Sequence, residues 1–444
     1  MRVRRFPTDP GPSGWLQILP NRAASPILEG RRAFDVLIIG AGFAGLSAAR
    51  ALHQTDPKTK IAVLDARGVA EGPAGRNSGF MIDLPHNLSS SNYAGGLERD
   101  QKQTRMNRAA IQFAAEAAND YGMTKEAFDP CGKINAAGSE KGHQHNHDYA
   151  HHLSNIGEDC ELLDAKDMSR ISGSNYYLSG LYTKGTAMLQ PALYIQNFAD
   201  GLRRDGIELF ENSPVTNIRF AGDAWNAETP YGAISAAKVI LANNGHVESF
   251  GHFKRRLVHI YLFASMSAPL DADASKLTGS DARWAFTPSD SFGSTVRKIS
   301  GTGGTRLVVR NGIKWAPGQS ANERDVAKLI SQHDEALVAR YPDLAGLKMD
   351  YRWGGQLCMS LNTVPAFGQV DQGMFAACCQ NGLGTAQGTL AGMAVADLVH
   401  GRDTQTLRFM LDHDAPRLLP PEPLATIGAK ARFWWGERTA GAEL

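Results

Sequence analysis

The chain has 444 residues, 43% of them hydrophobic and 20% charged, with 46 Lys and Arg against 45 Asp and Glu. This length exceeds that of a single hydrophobic core, which stops growing at roughly 250–300 residues, and it therefore predicts two packed domains. The balanced charge argues against nucleic acid and anionic membranes as partners.

Residues 1–33 carry five prolines among polar residues, which predicts an extended arm without regular structure that lies over the main body. The charged beginning is not followed by the apolar run of a secretory signal. No stretch reaches the roughly 18–20 apolar residues of a membrane helix. The five cysteines are odd in number and lack metal-ligand spacing, which fits a reducing compartment. We expect a cytoplasmic protein, monomeric or homo-oligomeric.

A strand, a helix and a second strand follow the arm in close succession. FDVLIIG (34–40) is an apolar run of β-forming residues, AGFAGLSAARALHQ (41–54) has helical spacing, and KIAVLDA (60–66) is a second buried strand that ends in an acid. This order is typical of a βαβ unit in a parallel sheet.

Three glycines form the pattern G-x-G-x-x-G between the first strand and the helix. Gly40 suits the tight turn, Gly42 lets the backbone approach a pyrophosphate, and Gly45 allows close helix–strand packing. The first amides of the helix favour an anion because they are unpaired and lie at the positive end of the helix dipole. Asp65 ends the second strand, where it is placed to accept hydrogen bonds from ribose hydroxyls. The segment predicts a dinucleotide site.

A second glycine-rich loop, EGPAGRNSGFM (71–81), bears on the choice of dinucleotide. NAD and FAD both use the first fingerprint. An additional loop with an arginine and amides suits the longer, buried FAD. Here Arg76 is positioned to neutralise pyrophosphate charge, and Asn77, Ser78 and Gly79 are expected to offer donors to the flavin ring.

The remaining chain alternates between helical and strand patterns. Helical spacing is found in 99–154, 326–342 and 389–401, buried strands in 237–245 and 374–379, and alternating strands in 256–313. Because parallel-sheet signals occur near both ends and in the middle, the first domain is expected to be discontinuous.

The predicted fold class is therefore α/β, or α+β overall, with a Rossmann-like dinucleotide-binding domain and an inserted substrate domain built on an antiparallel sheet plus helices. We assign 1–33 to the arm, 34–98, 155–250 and 350–402 to the dinucleotide domain, 99–154 and 251–349 to the substrate domain, and 403–444 to a C-terminal tail.

Three segments carry a family resemblance: VLIIGAGFAGLSAARAL with Asp65, the loop GPAGRNSG, and MDYRWGGQLCMSLNTVPAFGQV (349–370) followed by NGLGTAQGTLAG. They resemble the glycine-oxidase and D-amino-acid-oxidase superfamily of flavoproteins, in particular its gamma-glutamylputrescine oxidase branch. The resemblance covers most of residues 34–401 and implies FAD as the cofactor and a C–N bond as the site of oxidation.

The resemblance also implies which residues hold FAD. The ADP half is assigned to Gly40, Gly42, Phe43, Ala44, Gly45, Asp65 and Ala66. The flavin side is assigned to Arg76, Asn77, Ser78 and Gly79, the adenine to the backbone of Val215, the pyrophosphate turn to Asn243, Asn244 and Gly245, and the flavin N1–C2 carbonyl to backbone amides of Asn381, Gly382, Gly384 and Thr385. Amides at the last position suit the negative charge that gathers there on reduction.

The substrate pocket departs from the family pattern at its last loop. Leu383 stands where the family has a histidine, and Cys379 or Gln380 replaces a glycine. We expect Leu383 to make the pocket more apolar and substrate preference to differ. Arg352 and Trp353 are further pocket candidates, as a cation and an aromatic wall, with a structural role as the alternative. No obligatory acid or base is assigned.

Other conspicuous residues have competing interpretations. Cys358 lies where sarcosine oxidases of the superfamily tether their flavin, but free cysteine is usually a small buried hydrophobe, and we expect non-covalent FAD. His143, His147 and His151 align on one helical face, which we interpret as a solvated face and not as a metal site. Arg310 is interpreted either as a surface arginine or as a ligand of a substrate carboxylate.

The sequence thus predicts oxidation of an amine or amino-acid-like substrate by hydride transfer to FAD, followed by imine hydrolysis and reoxidation by oxygen with release of hydrogen peroxide. Free small D-amino acids are expected to be poor substrates, since no arginine is unambiguously placed for their carboxylate. The alternatives are a dehydrogenase that passes electrons to a quinone or protein, and a flavin-binding protein without turnover.

Overall fold

The computed structural model describes residues 1–85, 93 and 95–444. The strands are β1 Gly30–Ile39, β2 Ile61–Leu64, β3 Phe80–Met81, β4 Phe128–Asp129, β5 Lys133–Ala137, β6 Glu161–Asp164, β7 Ser179–Thr183, β8 Ala187–Leu189, β9 Glu208–Phe210, β10 Asn217–Ala221, β11 Ala224–Glu228, β12 Gly232–Leu241, β13 Val258–Ser267, β14 Trp284–Pro288, β15 Thr295–Ile299, β16 Arg306–Trp315, β17 Met349–Met359, β18 Ala366–Asp371 and β19 Met374–Cys378.

The helices include long ones that cover the first sheet and short ones in connections. They are α1 Gly14–Gln17, α2 Phe43–Thr55, α3 Leu97–Asp120, α4 Glu140–Asn155, α5 Ala165–Ser172, α6 Pro191–Arg204, α7 Ala272–Lys276, α8 Glu323–Ala327, α9 Ile330–Arg340, α10 Ala386–His400, α11 Gln405–Leu411 and α12 Leu424–Ala440. None of those within the described residues combines the length and apolar character that a bilayer-spanning helix needs.

The first sheet has a parallel centre and antiparallel edges. Strands β19, β12, β1, β2 and β9 run parallel. Strands β11 and β18 pair antiparallel with β12 and β19, respectively, and β10 pairs antiparallel with β11. Residues 36–39 of β1 and all of β2 are buried, as their apolar runs predict. The largest hydrophobic core fills one face of this sheet beneath α2, α3, α6 and α10. The predicted βαβ unit is confirmed.

The second sheet is mostly antiparallel and runs in the order β17, β13, β16, β15, β14, β5, β7, β6. Among these described strands, only β14 and β5 pair in parallel. Strands β6 and β7 fall in 155–250 and β17 in 350–402, ranges that the sequence patterns assign to the first domain. Local patterns indicate that a segment is a strand but not which sheet accepts it, since pairing is a long-range property.

Helix α3 differs from its predicted place in the same way. Its segment was assigned to the substrate domain, but Ala110, Phe113, Ala114 and Ala117 are buried in the core that α2 and α10 share. The apolar stripe predicted the helix correctly, since a period of 3.6 residues marks a buried face. The stripe carries no information about which element covers it.

The two chain ends are ordered parts of the structure. The N-terminal arm forms one helical turn, α1, and buries Trp15, which is 1% exposed. The C-terminal tail forms α11 and α12, and its final residues return to the second sheet, where the Glu443 carboxylate accepts hydrogen bonds from the Gly138 and Ser139 amides at 3.0 Å. Both ends therefore pack against the body.

Candidate cofactor and substrate site

A cavity of about 440 Å³ lies between the carboxyl edge of the first sheet and one face of the second. The first sheet contributes the loops that follow β1, β2, β12 and β19, and the second contributes residues of β13, β16 and β17. Loops after parallel strands are the usual position of ligands in open α/β sheets. The arm and α12 complete the wall with Phe6, Pro7, Arg432 and Phe433.

The three fingerprint glycines occupy different environments. Gly40 has φ +113° in the turn after β1, and a Cβ on Gly45 would lie 1.8 Å from the Gly40 carbonyl oxygen. A Cβ on Gly42 would meet only the Ala74 methyl, at 3.5 Å, and Gly42 lines the cavity. Gly45 therefore permits packing and does not line the cavity, whereas Gly42 leaves space open beside the helix N-terminus.

Asp65 holds this turn together from the end of β2. Its carboxylate accepts hydrogen bonds from the Ala41 amide at 2.8 Å and the Arg67 amide at 3.0 Å. Burial raises the pKa of Asp65, although these hydrogen bonds oppose the shift. Phe43, Ala44 and Ala66 line the same end of the cavity. The two hydrogen bonds to Asp65 therefore fix the shape of the loop.

The second glycine-rich loop forms one side of the cavity. The Arg76 guanidinium donates to the carbonyls of Glu71 at 2.6 Å, Gly11 at 2.9 Å and Gly354 at 3.0 Å. Its donors therefore join the arm, the loop and β17, although the residue also lines the cavity. Binding of the Arg76 guanidinium to the pyrophosphate, which the sequence predicts, would compete with these hydrogen bonds.

The residues after Arg76 are held in a tight turn. The Asn77 side chain donates to the Ala74 carbonyl at 2.7 Å and accepts from the Gly79 amide at 2.8 Å. Gly79 has φ +76°, and a Cβ there would lie 2.3 Å from the Leu189 carbonyl oxygen. Asn77, Ser78 and Gly79 all line the cavity. The Asn77 side chain thus satisfies backbone groups of its own loop.

Only some of the residues that we assigned to the adenine and to the pyrophosphate turn line the cavity. Val215, Asn243 and Asn244 line the cavity. Gly245 does not, and a Cβ there would lie 2.7 Å from Nδ1 of His259, so this glycine is required for packing. The place of Gly245 in the sequence, in the turn after β12, did not reveal that this residue is needed for packing and does not line the cavity.

The loop between β19 and α10 contributes Gly382, Leu383, Gly384 and Thr385 to the wall. Leu383 packs against an apolar cluster that includes Phe80 and Met188. Asn381 is turned away, with φ +51°, and its side-chain oxygen accepts from the Ser360 amide at 2.8 Å. Asn381 therefore fixes the loop to the residue that follows β17 and does not face the cavity.

Arg352 and Trp353 are not among the lining residues, which corrects their assignment as pocket residues. Arg352 forms an ion pair with Asp334 of α9 at 2.7 Å. Trp353 is 1% exposed, and its indole donates to the Arg76 carbonyl at 3.1 Å. Because alternate residues of a strand point to opposite faces, Arg352 reaches the far side of β17, while Trp353 lies beneath the Arg76 loop.

Sequence analysis left the place of Arg310 open between the surface and the pocket, and it missed two other parts of the wall, His246 and α12. Arg310 lies in the cavity and not on the outer surface. His246 is buried beside the pyrophosphate-side turn, and burial lowers its pKa to about 4. Alternation along β16 offered a weak signal for Arg310, but nothing in the local sequence indicated that α12 would reach the cavity.

A family model described as FAD dependent oxidoreductase (DAO) matches residues 35–398. The chain belongs to this family. As a DAO-family oxidoreductase it uses FAD, and the open space at Gly42 beside the N-terminus of α2 fits the pyrophosphate of that cofactor.

Relatives and structures agree with this membership. The oxidoreductase is 24% identical over 373 residues to gamma-glutamylputrescine oxidoreductase of Escherichia coli, covering 83% of this chain and 84% of that protein. It is 25% identical over 392 residues to the probable oxidoreductase OrdL of Haemophilus influenzae, covering 84% and 85%. The structure of glycine oxidase from Geobacillus kaustophilus superposes with a TM-score of 0.70 at 17% identity, covering 84% of this chain and 96% of that one.

Cys358 of this DAO-family chain lies outside the cavity. Leu357 and Met359 line the cavity, while Cys358 between them points into the core behind the sheet with Cys378 and Cys379. Burial raises the pKa of the Cys358 thiol well above its usual value, which disfavours the thiolate. The geometry thus supports the expectation of non-covalent FAD.

We expect acid or heat denaturation to release all of the flavin, and Cys358→Ser to retain it as well as the wild type does. The measurement is the flavin absorbance of the supernatant and of the washed pellet. Flavin that remains in the wild-type pellet and disappears in the Cys358→Ser pellet would show a tether.

Proposed function

We propose that this chain oxidises a C–N bond of an amine or amino-acid-like substrate by transferring a hydride to N5 of FAD. The resulting imine is hydrolysed to a carbonyl compound and an amine, and oxygen accepts the two electrons and becomes hydrogen peroxide. FAD supplies the hydride acceptor. The observation that carries the proposal is the continuous cavity that joins the dinucleotide loop to an apolar chamber under the second sheet.

In this proposal Gly40, Gly42 and Asp65 would hold the dinucleotide half of the cofactor. The Asn77 loop and the loop after β19 would hold the flavin half. Gly382, Gly384 and Thr385 stand at the N-terminus of α10, where the helix dipole and unpaired amides favour negative charge. This placement lets the chain stabilise charge that develops during reduction without a charged side chain.

The chamber itself orients the substrate and excludes water. Leu262, Leu357, Leu383 and Phe433 line it and present apolar surface. Among the lining residues that the structure describes, Asp65 is the one carboxylate, and it binds the turn amides after β1. No carboxylate among these lining residues is therefore placed as a base on the amine, and we propose that the substrate binds with its amine neutral.

The test is anaerobic bleaching of the flavin absorbance by D-alanine, glycine, sarcosine, putrescine and gamma-glutamylputrescine. We expect reduction to be fastest with an amine on a flexible polar chain. Failure of every amine to reduce the bound flavin would contradict the proposal. If D-alanine or glycine is fastest, an amino-acid oxidase replaces the polyamine-type oxidase as the proposed activity.

The electron acceptor is tested separately by readmitting oxygen. We expect one hydrogen peroxide for each substrate oxidised, measured with a peroxidase-coupled dye. Reoxidation by a soluble quinone much faster than by oxygen would favour the dehydrogenase. We also place the enzyme in the cytoplasm, in line with its five free cysteines.

A further inference from the structure

Helix α12 carries most of its large apolar side chains on the face that points away from the protein. Leu424, Ile427, Trp434 and Trp435 are between 58% and 63% exposed. Their spacing places them along one side of the helix, and exposed Ala431 lies on the same side. We call these five residues the outer face of α12. Contiguous exposed apolar side chains mark an interaction surface, whereas isolated ones need no explanation.

The opposite side of α12 is fixed to the body of the protein. Thr426 accepts a hydrogen bond from the Trp315 indole at 2.9 Å, and the Glu437 carboxylate accepts one from a backbone amide of β16 at 3.2 Å. A Cβ on Gly436 would lie 2.4 Å from the Phe292 ring, so the helix packs closely against that ring. Because this side is held, four of the five large apolar side chains of α12 point away from the body, which reverses the usual pattern of a surface helix.

Cations border the outer face of α12. The helix contains Lys430, Arg432 and Arg438, all exposed, whereas its one carboxylate, Glu437, is directed toward β16. The Arg438 guanidinium lies 5.3 Å from the centre of the Trp434 ring, within the apolar face itself. Among the ion pairs of the described residues, none includes a cation of α12. The outer face is therefore both apolar and positively charged.

The segment that leads into α12 adds to this charge. Leu418 is 59% exposed, and the Leu419 amide donates to the Arg255 carbonyl at 2.7 Å. The ranges 254–256 and 417–440 together hold Lys254, Arg255, Arg256, Arg417, Lys430, Arg432 and Arg438 against Glu422 and Glu437. The whole chain has 46 Lys and Arg against 45 Asp and Glu. That balance argued against an anionic membrane, but a total does not show a local excess of cations.

The combination of apolar and cationic groups restricts the partner. Anionic headgroups can pair with the cations of α12, acyl chains can accept Leu424 and Ile427, and tryptophan favours the boundary between the two. A second copy of this chain would place the same cations opposite one another, with no carboxylate of the outer face to pair with them. A nucleic acid would pair with the cations but would leave the aliphatic side chains in water.

We propose that the outer face of α12 binds the surface of an anionic lipid bilayer, with the helix axis parallel to the membrane plane. In this arrangement both tryptophans reach the acyl chains, and the three cations of the helix contact headgroup phosphates. Helix α12 also lines the cavity through Phe433. Binding therefore places one wall of the cavity beside the bilayer. This inference goes beyond the proposed amine oxidation and does not depend on it.

The experiment measures co-sedimentation of the FAD-containing protein with vesicles of phosphatidylcholine, alone or with about 30% phosphatidylserine. We expect binding to the anionic vesicles, weakened by at least about tenfold between roughly 0.1 M and 0.5 M NaCl, because salt screens exposed charges. The double variant Trp434→Ala, Trp435→Ala loses apolar contact area and should bind at least about tenfold more weakly. The double variant Lys430→Gln, Arg438→Gln should bind roughly 30-fold more weakly, at about fivefold for each cation.

Two control proteins match these variants. Tyr231→Ala removes an aromatic side chain that is 69% exposed in the turn between β11 and β12. The double variant Lys58→Gln, Arg219→Gln removes two exposed cations from the first domain. Both controls should bind the anionic vesicles as the wild type does. Circular dichroism and flavin absorbance verify that every variant is folded.

Brominated phosphatidylcholine in the same vesicles reports which residues enter the bilayer, because bromine quenches the fluorescence of nearby tryptophan. The fluorescence of the wild type should be quenched on binding. The double variant Trp434→Phe, Trp435→Phe retains aromatic surface, so it should still bind and should lose most of the quenching. Quenching that is equal in this variant and in the wild type would place a different surface against the lipid and overturn the proposal.

The remaining outcomes are equally decisive. Failure of the wild type to bind anionic vesicles, or binding that neither alanine nor glutamine double variant weakens, would overturn the proposal. Without vesicle binding, a change from dimer to monomer in Trp434→Ala, Trp435→Ala would assign the outer face to a second copy of the chain. Tighter binding to a single-stranded oligonucleotide than to the vesicles would assign it to nucleic acid. None of these measurements needs amine turnover, so a negative result leaves the proposed oxidation standing.

Discussion

Replacing Gly42 with valine is expected to lower FAD affinity by at least roughly 100-fold, equivalent to about 3 kcal/mol. The nearest atom to a Cβ at this position is the Ala74 methyl at 3.5 Å, so the chain itself can accept the first carbon. The two methyl groups of valine would then fill the space in which we place the pyrophosphate. The folded apoprotein should be recovered colourless, and titration with FAD, followed by flavin fluorescence, measures the remaining affinity.

Gly45 provides the contrast, because its role is packing. A Cβ there would lie 1.8 Å from the Gly40 carbonyl oxygen, so even Gly45→Ala should disturb the βαβ unit and lower the yield of folded protein. Gly428→Val is the matched control, since Gly428 lies in exposed α12 and a Cβ at this position would have no atom within 4 Å. Retention of one FAD per chain by Gly42→Val would contradict the placement of the cofactor.

Local sequence patterns predicted the parts of the site that depend on short-range geometry. The turn after β1, its acid Asp65 and the rigid loop from Asn77 to Gly79 are each formed by residues close in sequence. The glycines and side-chain amides in these segments indicate which backbone conformations and hydrogen bonds the segments need. These segments all line the cavity, as expected.

The failures share a different physical cause. Arg352, Gly245 and Asn381 were assigned from their place in a motif, but the direction in which each points is set by strand register and by distant partners such as Asp334 and His259. Arg310 shows the reverse case. An isolated arginine in a strand has no local mark that separates a solvent-facing position from one that faces a cavity.

The N-terminal arm is the clearest example of a role that composition could not predict. Its prolines predicted an extended arm without regular structure, whereas the arm contains the helical turn α1, from which Trp15 anchors it beneath the loop from Asn77 to Gly79. The indole nitrogen donates to the Asn77 carbonyl at 2.9 Å, and the ring packs edge-on against Trp353 with centroids 6.3 Å apart. The Arg297 guanidinium lies 5.0 Å from the centre of the indole. The arm therefore helps to support the loop from Asn77 to Gly79.

We accordingly expect Trp15→Ala to destabilise the protein by about 3–5 kcal/mol, the usual cost of deleting a large buried aromatic side chain. The temperature of flavin release should fall by roughly 3–5 °C, because the unfolding entropy of a 444-residue chain is about 0.9 kcal/mol/K, and FAD affinity should fall with it because Asn77 loses its anchor. Trp15→Phe retains most of the buried surface and loses only the indole hydrogen bond, so its effect should be near 1 kcal/mol.

The control is Trp435→Ala, which removes the same side chain from a position that is 63% exposed. This variant should leave the temperature of flavin release and the FAD affinity unchanged. Melting followed by flavin fluorescence reports release, and melting followed by circular dichroism reports unfolding. If Trp15→Ala lowers both transitions equally with FAD affinity intact, Trp15 stabilises the fold as a whole. A larger shift in flavin release than in unfolding would show that the arm acts specifically on the loop from Asn77 to Gly79, because global destabilisation alone moves the two transitions together.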